Sequence, residues 1–154
     1  MRVPESKNIA LGETQQDLII FLKQHHLTIT KTRIKIIELF QESESALENN
    51  LIEKKTQHQF DRITVYRTLQ AFLKTGIIHA IPTYSNSIRY ALCKGDCNEH
   101  AHIDNHLHFI CEKCGKTICL DKADISIIQL PKDYTIHKAD AILSGICNVC
   151  KTAK

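Results

Sequence analysis

Tryptophan is absent from this chain, methionine occurs once, and nine residues are Phe or Tyr, so any core must be built mainly from Ile and Leu. No apolar run reaches the roughly 18 residues that a membrane helix needs. The opening stretch, MRVPESKNIALGETQQ, lacks an apolar run of signal-peptide length. These absences point to a soluble, cytosolic chain with no membrane partner. A bulk excess of charge is missing too. The net charge is +3, with 11 basic and 9 acidic residues before position 80 and 9 and 8 after it. Charge alone therefore makes no case for nucleic acid, and only a pattern of residues could.

What is present in quantity is cysteine. Seven cysteines cannot all pair as disulfides, and in a reducing compartment C-x-x-C pairs more often hold metal or do redox chemistry. Cys111 with Cys114, and Cys147 with Cys150, form a C-x2-C…C-x2-C set with 32 residues between the pairs. Two thiolates three positions apart grip one ion because a tight turn aims both sulfurs at one point. Gly115 follows the first pair, where a positive φ turns backbone N–H groups toward the sulfurs. Four thiolates make a closed tetrahedral site, and zinc is the expected occupant. Structural zinc binds with about 10–16 kcal/mol in small peptides, comparable to the whole stability of a domain, about 5–15 kcal/mol. The ion is expected to hold a small C-terminal domain together.

The N-terminal half reads as helices. Thr14 and Asp17 form a start signal before LIIFLKQHHL, and a second helix is expected from about Thr32, with Ile34, Ile37 and Phe40 at helical spacing. Ser45 and Glu48 predict a capping box opening ALENNLIEKK. Asp61 is a good N-cap for a fourth helix, RITVYRTLQAFLKT, which Gly76 stops. On that helix Val65, Leu69, Phe72 and Leu73 share one side. Thr64, Arg67 and Ala71 point away from it, with Tyr66 and Gln70 on the flank. IIHAIP and IRYALC around TYSNS predict a β-hairpin. Helices followed by a hairpin give the order of a winged helix-turn-helix. Past Cys93 the chain turns Cys/His-rich. HFICE and KTICLD predict two short strands, ADISIIQL an amphipathic segment, and YTIHKADAILSGIC a last strand.

His106 and His108 are left over once the four cysteines close their tetrahedron. On a strand these two share a face and make half a metal site. His79 and Cys93 lie on the two hairpin strands, and Cys119 on the strand beside the histidines. A site of His79, Cys93, His106 and His108 would bridge two domains, with Cys119 near and Cys97 as a further possible donor. Nitrogen and thiolate donors favour zinc over iron or manganese.

The ordered set T-K-T-R (30–33), D-R-I-T-V-Y-R-T-L (61–69), G-I-I-H (76–79), Y-A-L-C (90–93), H-L-H-F-I-C-E-K-C-G (106–115) and C-N-V-C (147–150) resembles the ferric uptake regulator (Fur) superfamily, and most of all its zinc uptake (Zur) branch. The resemblance implies an α+β chain. After a disordered tail at 1–13, a winged-helix DNA-binding domain would span 14–93. A Cys/His-rich hinge at 94–105 and a zinc-stapled α/β dimerisation domain at 106–154 would follow. It implies a metal-responsive repressor and not an enzyme, binding double-stranded operator DNA as a homodimer, with no small-molecule substrate. One structural and one regulatory zinc ion are implied per chain. Structural zinc falls to Cys111, Cys114, Cys147 and Cys150, and regulatory zinc to His79, Cys93, His106 and His108. The helix carrying Arg62, Thr64, Tyr66 and Arg67 is implied to enter the major groove.

Departures from the iron-type pattern bear on the metal. SESALE has no histidine before the third helix, Ala91 stands where iron-type members use a glutamate, and Cys119 replaces another acidic ligand. Asn105, Leu107 and Ala139 leave a further family site incomplete. Cys97, His100, His102 and Asp104 occupy a loop without a clear counterpart. Iron or peroxide sensing and thiol-based redox sensing are the rival regulators. A zinc enzyme is disfavoured because the chain has no H-E-x-x-H and no acidic residue tied by spacing to the second cluster.

Overall fold

A computed structural model describes residues 14–57, 59–83, 87–93, 107–120, 131–134 and 141–152. The expected tail at 1–13, the hinge at 94–105, His106 and the ADISIIQL segment lie outside the described residues.

Four helices form the N-terminal half: α1 (Gln15–Gln24), α2 (Lys31–Gln41), α3 (Asn49–Thr56) and α4 (Arg62–Lys74). Local chemistry sets most of their starts. Thr14 and Asp17 cap α1 reciprocally: the Asp17 N–H donates to Thr14 Oγ1 at 3.3 Å, and the Thr14 N–H to Asp17 Oδ2 at 3.2 Å. Thr30 caps α2, which starts at Lys31, slightly ahead of the expected Thr32. Asp61 Oδ1 accepts from the Thr64 N–H at 2.9 Å at the start of α4, and Gly76 follows the helix at φ 71°.

The expected Ser45–Glu48 capping box does not form. Leu47–Glu48 instead make a short strand, β1, and α3 starts at Asn49 with no side-chain cap. The Ser45 hydroxyl donates to the Thr117 carbonyl at 3.1 Å, and Glu48 turns to Arg89. Tertiary partners outbid the local motif.

Strands β2 (Ile78–Pro82) and β3 (Ile88–Leu92) make the predicted hairpin, and β1 adds to it in the order β1-β3-β2. Against this sheet α1, α2 and α4 bury Leu18, Leu22, Ile36, Ile37, Val65, Leu69 and Phe72 with Ile77 and Ile78. The core is mostly aliphatic, with Phe40, Phe72 and Tyr90 buried in it.

The second sheet is β5-β4-β6, from β4 (Leu107–Cys111), β5 (Thr117–Leu120) and β6 (Ala141–Gly145), with a short helix α5 (Asn148–Thr152) after it. β4 pairs antiparallel with β5 and parallel with β6. The parallel pairing brings Cys111 beside Gly145, so the two C-x2-C motifs end at one corner. Among the described residues no helix is long and apolar enough to cross a membrane.

Candidate metal centres and nucleic-acid face

The first centre forms where β4 ends and α5 begins. Cys111, Cys114, Cys147 and Cys150 place their sulfurs within 4.8 Å of one another. With zinc–sulfur bonds near 2.3 Å, a tetrahedron has an edge of about 3.8 Å. The Cys114 and Cys147 sulfurs are 3.8 Å apart. Gly115, at φ 73°, donates its N–H to the Cys111 carbonyl at 2.8 Å and closes the turn. Backbone N–H groups of Cys114 and then Cys147 draw the Cys111 thiol down to about 6, the Cys147 amide lying 3.3 Å from its sulfur. Hydrogen bonding to Cys114 and Cys147 pushes Cys150 up to about 12. The cluster thus favours a first thiolate and resists the last, and a bound divalent cation would favour thiolate at all four. The donor set fits zinc.

The second centre joins the two sheets. His79 on β2 and His108 on β4 are both buried, and their Nε2 atoms are 3.0 Å apart. Cys119, the cross-strand partner of His108, brings its sulfur 3.6 Å from the same His79 nitrogen. Tetrahedral zinc has N–N and N–S edges of about 3.3 and 3.6 Å. The N–S separation matches, and the N–N separation is shorter by about 0.3 Å. Cys93, just past β3, sits 3.5 Å from Nδ1 of His79, the nitrogen not facing His108. The structure therefore brings His79, His108 and Cys119 together and places Cys93 against the same ring at its other nitrogen. His106 and Cys97 lie outside the described residues. Of the four residues expected at this centre, the structure sets His79 of the wing sheet beside His108 of the second sheet. The prominence of Cys119, expected only as an additional donor, comes from the β4–β5 register.

The outward side of α4 presents Arg62, Ile63, Tyr66, Arg67 and Gln70. Arg62 also meets Glu53 at 3.2 Å, but its side chain stays 78% exposed. Thr64 is half-buried, and its hydroxyl donates to Asp61 Oδ2 at 2.6 Å, so it serves the helix cap first. That bond holds the Asp61 carboxyl below its ordinary value. Ala71 is also half-buried, whereas the sequence pattern set it opposite the core. Ile63 is 64% exposed beside Tyr66, an apolar element the sequence pattern did not single out.

Helices ahead of a three-stranded wing, and a metal knuckle on a second sheet, define a two-domain winged-helix metalloprotein. The profile of the ferric uptake regulator family matches residues 24–141, and the chain belongs to that family, whose members are metal-binding, DNA-binding transcription regulators and not enzymes. The ferric uptake regulation protein of Staphylococcus aureus is 30% identical over 139 residues, 88% of this chain and 96% of the relative. A zinc uptake regulator solved with zinc and DNA shares the fold at a TM-score of 0.62 and 21% identity, over 91% of this chain and 97% of that one. The Vibrio cholerae ferric uptake regulator does so at 0.58 and 23%, over 84% and 98%.

Proposed function

We propose that this chain is a zinc-responsive repressor acting in the cytoplasm, a homodimer that binds operator DNA when its interdomain centre holds metal. The observation carrying the proposal is the meeting of His79, from the wing sheet, with His108 and Cys119, from the second sheet, at spacings zinc would span. In this reading Cys111, Cys114, Cys147 and Cys150 hold one structural ion per chain. His79, His108 and Cys119 hold a second, exchangeable ion. Cys93 and His106 compete for its fourth corner; Cys93, which lies at His79 Nδ1, reaches it only if the His79 ring or its own side chain turns. Zinc supplies a cation that accepts imidazole and thiolate together, without redox chemistry. The chain's own part is mechanical: donors on two sheets converge only when the domains are docked.

In the DNA-bound state α4 enters the major groove, with Arg67 and Tyr66 toward base edges and Arg62 and Thr64 near the backbone. The modest net charge favours few phosphate contacts and a shallow salt dependence. The test is operator binding by the purified protein against buffered free zinc, after chelation has stripped the weaker site. Zinc-dependent binding, with two ions per chain of which one exchanges, is the expected result. Equal affinity with and without metal refutes the proposal.

A second reading rests on the 30% identity with ferric uptake regulation proteins. It makes the regulatory metal iron, with peroxide as a further signal. Titration with ferrous, manganous and zinc ions separates the two. DNA binding that follows oxidant and ignores metal would indicate a thiol switch instead.

A further inference from the structure

Arg89 lies on β3, opposite Glu48 of β1 and Ile81 of β2. On the wing of a DNA-binding domain such a residue would be expected to face phosphate. Here only 16% of its side chain is exposed. Nε and Nη2 donate to Glu48 Oε1 at 3.0 and 2.8 Å. Nη1 reaches across to the second domain and donates to the Gly115 carbonyl and the Thr117 hydroxyl. Gly115 belongs to the turn that closes the Cys111–Cys114 pair. A Cβ there would stand 3.4 Å from Arg89 Nη2, in addition to the strain of its positive φ.

The contact continues along the backbone. Thr117, fully buried, is on β5, an edge of its three-stranded sheet. Its N–H donates to Ser45 Oγ at 3.0 Å, and its carbonyl accepts from the Ala46 N–H at 2.9 Å and the Ser45 hydroxyl at 3.1 Å. The segment leading into β1 thus covers the β5 edge while Arg89 fastens the neighbouring strand. The exposed Lys116–Glu44 pair, at 3.0 Å, adds little.

We infer that Arg89 is a positioning residue for DNA binding, docking the wing onto the four-cysteine knuckle through Gly115 and Thr117 and so coupling the structural ion's turn to the pose of α4. The inference rests on the zinc-responsive, DNA-binding reading above. It adds a second fastening between the domains, separate from the His79 centre. A guanidinium fork suits the role: one edge takes the carboxylate and the remaining N–H groups take neutral oxygens, which an ammonium cannot reproduce.

The test compares wild type with Arg89→Lys and Thr117→Val, using the zinc-loaded full chain. Arg89→Lys keeps the charge and loses the fork; Thr117→Val removes the shared hydroxyl and leaves the wing untouched. Two quantities are read: amide hydrogen exchange at Ala46 and Thr117 without DNA, and the free zinc needed for half-maximal binding to the operator. Both variants should exchange about tenfold faster at these amides and need about tenfold more zinc, the effect of one charge-assisted hydrogen bond. Zinc at the four cysteines and the salt slope should stay as in wild type. Wild-type exchange and zinc midpoint in both variants would overturn the inference. So would a neutralising Arg89→Gln variant whose salt slope is shallower by about one with unchanged exchange, which would make Arg89 a phosphate contact. If the Lys variant loses zinc from the knuckle, Thr117→Val decides by the same two readings. Failure of the wild type to need zinc for DNA would refute the regulatory reading, while the exchange data still judge the seam.

Discussion

In the proposed switch His79 is the ligand through which metal occupancy becomes a domain pose, because His108 and Cys119 share one sheet and His79 comes from the other. A ligand shifts an equilibrium only by its differential affinity for the two states. Bonds to His108 and Cys119 can form whether or not the domains are docked; the bond to His79 needs docking. Outer-sphere partners of metal ligands are already worth about 10- to 100-fold in affinity, so a direct ligand is worth at least about 100-fold, or about 2.8 kcal/mol. A switch from 1:99 to 99:1 needs about 5.5 kcal/mol. Removing about half of that leaves near-equal populations at saturating metal. His79→Gln should therefore reach only about half the wild-type population of DNA-competent dimer, however much zinc is added. Cys119→Ser should need about 100-fold more zinc and then reach the wild-type plateau. Fluorescence anisotropy of labelled operator against buffered free zinc reads both plateau and midpoint. A full plateau for His79→Gln, or a lowered one for Cys119→Ser, would refute the argument.

If Cys93 takes the fourth corner, Cys93→Ser should depress the plateau more than His106→Ala, since Cys93 follows β3 of the wing sheet; the same titration ranks them. Arg67→Ala should cost about 1–3 kcal/mol of operator affinity and relax discrimination at one base position if the guanidinium reads a base edge. A uniform loss on all sequences would reassign it to phosphate. The Asp61 carboxyl, held below its ordinary value of 3.8 by the Thr64 hydroxyl and amide, stabilises the start of α4 above that pH. That contribution disappears as pH falls through the folded value, so thermal melts from pH 7 to pH 3 should show an acid-side slope that Asp61→Asn reduces.

The elements that local chemistry dictates were legible from sequence. Thr14 with Asp17 and Asp61 with Gly76 mark helix ends because the groups they satisfy lie within one turn. The four-cysteine centre was legible for the same reason: a C-x2-C turn prepositions two sulfurs, leaving only the pairing of β4 with β6 to join the halves. Hydrophobic spacing picked out Val65, Leu69 and Phe72 correctly, since burial on a helix follows its period. The same spacing erred at Thr64 and Ala71, where the cap and the neighbouring elements decide what is covered.

Tertiary structure alone decided the rest. Ser45 and Glu48 carry a helix-start signal, yet Thr117 and Arg89 claim them, because a partner from a distant strand replaces the local bond at no loss of hydrogen bonding. Whether Cys119 or Cys93 faces the same nitrogen of His79 as His108 depends on strand register and domain docking, which no spacing encodes. An isolated arginine in a wing strand says nothing about its partners. Only the packing of two sheets set Arg89 against a glycine carbonyl of the metal knuckle.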